Sequence, residues 1–98
     1  MTESIDASNS RMAEWQRKFF RNLKVISEEP SPAYSTKDFF LTLKQVEQIS
    51  SGQTGWMGFV YATEGKERRD HTDLYKERNP ALEEGSKLTD QWQGYMDP

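Results

Sequence analysis

Ninety-eight residues make one small domain, and a chain this short hides only roughly 60 to 65% of its unfolded surface, so its core is modest. Hydrophobic residues are 34% of the chain and charged residues 30%, while 12% aromatics argue against full disorder. A formal net charge of −3, from 13 basic and 16 acidic residues, excludes a global pull towards nucleic acid or anionic lipid, and the lack of cysteine excludes disulfides, thiolate metal sites and a thiol nucleophile.

The opening "MTESIDASNS" is small and polar, so residues 1–9 are expected to be a flexible N-terminus and residues 10–98 a single small helical domain. It shows no basic n-region or apolar h-region, and no run approaches the roughly 18 apolar residues of a membrane span, which predicts a cytoplasmic protein, or a virion-associated one if phage-encoded. In "SRMAEWQRKFFRNLKVISEE" the residues Met12, Trp15, Phe19, Leu23 and Ile26 recur at spacings of three and four, the period of an amphipathic helix. Pro30 and Pro32 end it.

A second helix is predicted over residues 36–51. Ser35 and Asp38 have capping-box spacing, Tyr34 and Phe39 sit as a hydrophobic staple, and Phe39, Phe40, Leu43, Val46 and Ile49 continue an apolar face up to Gly52, suited to a left-handed C-cap. The segment "WMGFVYAT" is β-prone in composition, but with the other apolar runs assigned to helices it has no strand partner. Residues 56–63 are therefore read as a third helix carrying Trp56, Phe59, Val60 and Thr63, with Gly55 and Gly58 marking a tight helix contact. The alternative is an α+β fold with residues 56–63 as a strand, completed by another chain. Asn79 and Pro80 break what precedes them, and Gly85-Ser86 opens a short helix over residues 87–93 with Leu88 and Trp92. The expected fold is thus all-α: three main helices plus a short C-terminal one.

The chemistry-bearing patterns are few. Arg17, Lys18, Arg21 and Lys24 make a basic flank on the first helix, a candidate surface for RNA or an acidic partner; the structural alternative is a solvated face. His71, the single histidine, stands four residues after Glu67, which on a helix would offer two metal ligands, too few for a site. No Gly-x-Ser-x-Gly elbow or phosphate loop occurs, so the chain is expected to be no enzyme, with no cofactor, metal or small-molecule substrate. Trp15, Trp56 and Trp92 fall one per apolar segment, as core rings do, whereas Phe20, Trp56, Tyr61 and Tyr95 exceed what a small core hides and are candidate partner anchors.

Gly58-Phe59, Gly65-Lys66, Asn79-Pro80, Gly85-Ser86, Trp92 and Gly94-Tyr95 follow an order that resembles the ribosome modulation factor family, short bacterial and phage proteins of two helices. The likeness covers about 40 residues of the C-terminal half, interrupted by "RRDHTDLYKER" and set in an acidic rather than basic sequence. It implies binding to ribosomal RNA. The reading of the residues themselves is a non-enzymatic accessory or inhibitory factor, of phage or mobile-element type, that binds another protein or itself. A ribosome or RNA binder using the first helix, and a structural subunit of a larger assembly, are the alternatives.

Overall fold

The computed structural model describes residues 14–97, with side chains from residue 18 onward. In chain order it contains α1 (Glu14–Arg21), β1 (Leu23–Pro30), a 3-10 turn (Pro32–Tyr34), β2 (Phe39–Gln48), β3 (Thr54–Ala62), β4 (Arg68–His71) and α2 (Arg78–Met96). The strands form one antiparallel sheet in the order β1-β2-β3-β4. This overturns the all-α bundle. Met12 and residues 1–9 lie outside the described residues.

Each correction has a local cause. The first helix stops at Arg21, because Val25 and Ile26 are β-branched and find a partner strand: Leu23 pairs with Gln48 and Val25 with Val46. Residues 36–51 are not a helix, since "FFLTLKQVEQ" forms β2 with Leu41 opposite Val60 and Thr42 opposite Phe59. The expected capping box works otherwise: Ser35 Oγ accepts from the Leu41 amide at 3.0 Å, and Asp38 bonds Gln93 of α2 through both its amide (2.8 Å) and its carboxylate (2.6 Å). Residues 56–62 fall in a strand, whose partners are β2 and β4 of the same chain, and Thr63 opens the turn after it. Gly52 is left-handed (φ +73°) but turns a hairpin instead of ending a helix.

Pro80 also acts differently from expectation. It occupies the first turn of α2, where its missing amide donor costs nothing, so the last helix runs Arg78–Met96 instead of residues 87–93. Gly85 is consequently helix interior.

Residues directly opposite in an antiparallel pair share a face. Phe39, Leu41, Leu43, Gly58, Val60 and Ala62 therefore line the first face. Leu82, Leu88 and Trp92 of α2 pack on the cluster of Phe39, Leu41, Val60 and Ala62 there. A Cβ at Gly58 would stand 3.1 Å from the Ala81 carbonyl oxygen, so this glycine does mark a tight helix contact, made by a strand. The second face carries Phe40, Lys44, Val46, Met57, Phe59 and Tyr61. Phe19 and Phe20 of α1 cover its Val46, Met57 and Phe59. The rest of that face has no helix over it among the described residues.

Candidate functional site

The uncovered part of the second face is built from cross-strand neighbours. Phe40 of β2 faces Tyr61 of β3, and the rings stack at 5.1 Å with planes 16° apart. Register also sets His71 opposite Phe59 and Arg68 opposite Tyr61, which brings β4 to the same face. Cations then alternate with the rings. Lys66 Nζ stands 5.4 Å from the Phe40 centroid, and Lys44 Nζ lies 5.4 Å from Tyr61 and 4.8 Å from Phe59. The Arg68 guanidinium sits 5.7 Å from Phe59 and 4.7 Å from Phe20, whose edge meets His71 at 4.9 Å. The result is a column across the sheet: Lys66, Phe40, Tyr61, Lys44, Phe59, Arg68, Phe20, His71.

Its members differ in freedom. Lys44 has a side chain only 16% exposed and an ion pair with Glu28 at 3.2 Å. Burial disfavours its charge, yet hydrogen bonds to Tyr61 and Glu28 outweigh that and raise its pKa, so Lys44 is a fixed cation. His71 Nδ1 donates to the Thr72 carbonyl at 2.8 Å, which leaves Nε2 as the acceptor of the neutral ring. Phe59 is 4% exposed beneath two cations, whereas Phe40 and Tyr61 are half-buried. Lys66 and Arg68 are exposed.

Of the sequence-derived anchors, Phe20 and Tyr61 join this column and the others do not. Trp56 is half-buried and bonds Tyr75 through both backbones at 2.6 and 2.9 Å. Tyr95 is 75% exposed near the end of α2, edge-on to Trp92 at 5.7 Å. The basic stripe is divided: Lys18 and Arg21 are exposed on α1, Arg17 lies on the same helix with its side chain outside the description, and Lys24 belongs to β1 opposite Glu47, on the first face. Glu67 belongs to the β3–β4 turn, with Arg69 at 3.6 Å, and shares no helix face with His71. Phe40, Lys44, Phe59, Lys66 and Arg68 were not singled out as site residues; even spacing within "FFLTLK" and "GFVY" was the available signal.

A cleft of about 460 Å³ lies on the other side of the same turn, floored by Phe39 and Ala62. Lys37 and Arg69 line it together with Asp38, Glu64 and Glu67, so it offers no single sign of charge. Among the described residues no group of three or more acidic or histidine side chains could hold a metal, and no helix is long and apolar enough to cross a membrane. No family model, curated protein or solved structure gives a significant match to the chain. The residues that carry the ribosome modulation factor likeness are spread over β3, the hairpin tip and α2, not over two helices.

Proposed function

We propose that this chain binds single-stranded nucleic acid, without performing chemistry on it, through the second face of its sheet. The observation that carries the reading is the alternation of Lys66, Lys44 and Arg68 with Phe40, Tyr61 and Phe59 on one face. Stacked aromatics accept unpaired bases of any sequence, and interleaved cations accept the phosphates between them. In a duplex the base faces are already stacked on their neighbours, so duplexes are poor ligands. The net charge of −3 is no obstacle at physiological salt, where charges farther off than a Debye length of about 8 Å are largely screened.

Fluorescence anisotropy with labelled RNA and DNA 12-mers tests this. If the two exposed cations, Lys66 and Arg68, each meet a phosphate, log K falls with log salt at a slope of about −1.4, so affinity drops about 7-fold from 50 to 200 mM salt. Phe40→Leu with Tyr61→Leu removes stacking worth about 1 to 3 kcal/mol per base, hence about 5- to 150-fold in affinity. Binding that ignores this double substitution in a folded protein, or that is as strong for duplex as for single strands, refutes the reading.

A protein partner is the second reading. It is favoured by Tyr95 and Met96, 75% and 59% exposed at the end of α2 and away from the column. Tyr95→Ser with Met96→Ser would then abolish a nuclease-resistant complex while leaving oligonucleotide binding unchanged.

A further inference from the structure

The column ends at Phe40, a half-buried ring with an exposed lysine beside it. Tyr61 stacks on Phe40 at 5.1 Å, and the Lys66 ammonium stands 5.4 Å from the centroid of the same ring. Every other ring is taken: Tyr61 lies between Phe40 and Lys44, Phe59 is 4% exposed under Lys44 and Arg68, and Phe20 lies between Arg68 and His71. Lys44 is pinned by Glu28, whereas Lys66 is exposed and makes no ion pair among the described residues.

The backbone under Lys66 is unusual as well. It is the non-glycine residue with positive φ among the described residues, at +58°, directly after Gly65 at +82°. Glycine would turn this hairpin with less strain. A strained residue kept at the tip, with its ammonium on the outermost ring, points to a role in binding.

Resting on the nucleic-acid reading, we infer that the column takes one unpaired base on the outer face of Phe40, where it displaces the Lys66 ammonium, and that Lys66 then pairs with the phosphate attached to that base. The exchange favours the ligand. A cation over an exposed ring is worth about 2- to 5-fold in an equilibrium, whereas a base on an aromatic ring is worth about 5- to 150-fold and the ammonium recovers its loss at the phosphate. One base fits because the next ring face inward belongs to Tyr61. Loop bases, flipped bases and strand ends all present this chemistry.

The test uses RNA and DNA 12-mers carrying one 2-aminopurine, whose emission is quenched by stacking, against the full chain and the variants Phe40→Leu, Lys66→Ala and Arg68→Gln. Expected are quenching on wild type, its loss with Phe40→Leu, and its retention with Lys66→Ala, which binds about 5-fold more weakly at 50 mM salt with the salt slope shallower by about 0.7. Circular dichroism establishes that Phe40→Leu is folded; should it not be, the Lys66→Ala result decides alone. Quenching unchanged by Phe40→Leu, or Lys66→Ala with wild-type affinity and slope, overturns the inference, while weakening by Arg68→Gln keeps the sheet-face reading standing. Failure of the wild-type chain to bind any oligonucleotide at 50 mM salt overturns both.

Discussion

Gly85 lies in the interior of α2 with the side chain of Leu41 directly beneath it, and the pair decides which face of the sheet is closed. A Cβ at Gly85 would sit 2.7 Å from Leu41 Cδ1 and 3.1 Å from Cδ2. In an ordinary helix interior, glycine to alanine stabilises by about 1 kcal/mol. Leu41 cannot step aside cheaply, since it is fully buried in a cluster with Phe39, Val60 and Ala62 on which Leu82, Leu88 and Trp92 pack. Overpacking of this kind costs about 1 to 3 kcal/mol, so Gly85→Ala is expected to destabilise by about 1 kcal/mol, against the helix propensity. Leu41→Ala alone costs about 2 to 5 kcal/mol through the cavity it leaves. Combined, the two substitutions relieve the clash, and the double-mutant cycle shows about 1 to 3 kcal/mol of favourable coupling. Urea unfolding of the four proteins measures it. Gly85→Ala stabilising by about 1 kcal/mol, with effects additive to within about 0.5 kcal/mol, would mean that α2 does not press on Leu41. The premise that the first face is closed and the second open would go with it.

Lys66→Gly relieves a left-handed lysine and is expected to raise unfolding free energy by about 0.5 to 1 kcal/mol in urea while weakening oligonucleotide binding, a pairing that a merely structural lysine would not show. The hydrogen bond from Arg78 holds the Glu29 carboxyl below its ordinary range, so the stability it contributes is present above the unfolded value near 4.5 and is lost as pH falls through the depressed one. Melting temperatures of Glu29→Gln should accordingly fall less than those of wild type between pH 6 and pH 3. The Tyr75 hydroxyl donates to Glu84, which pushes its pKa up to about 12; the linked stability is present below the ordinary value near 10 and is lost as pH rises through about 12. Phenolate absorbance should show a late-titrating tyrosine that Glu84→Gln returns to the normal range, and an unchanged titration would refute that contact.

Why the sequence misled is clearest at residues 39–48. Phe39, Leu43 and Val46 recur at helical spacing, while Phe39, Leu41 and Leu43 alternate as a strand does, because residues 39–43 are nearly continuously apolar. Both periods fit, and the tie is broken by β3, whose paired residues run from Glu47 with Thr54 to Phe39 with Ala62. Assigning this run to a helix removed the partner that "TGWMGFVYA" needed, so one ambiguity produced two errors. Gly52 was legible as a left-handed residue but not as a hairpin, since helix ends and tight turns call for the same backbone. The surplus of aromatics led to Phe20 and Tyr61, yet the site itself is interleaved from three strands, the hairpin tip and α1, and becomes visible only when register places Lys44 between Tyr61 and Phe59.

The edges of the sheet bear on how it meets a partner. β1 is an exposed edge, but it carries a bulge at Ile26, the charges Lys24, Glu28 and Glu29, and a terminal Pro30. β4 is four residues long, has Arg69 as an extra residue in its pairing, and bears Arg68 on the neighbouring position. Bulges, charges and proline are the devices that discourage addition of a further strand. A partner that docks by strand pairing is therefore opposed at both edges, and β3, which the alternative strand reading paired with another chain, is one of the two central strands with both neighbours in this chain. Among the described residues α2 covers the first face and no helix covers the Phe40–Tyr61 part of the second, so the proposed binding would fall to side chains there. On that face Lys44 stands in register between Tyr61 and Phe59, and the proposed binding would rest on flat, unpaired, anion-linked groups rather than on a backbone ladder.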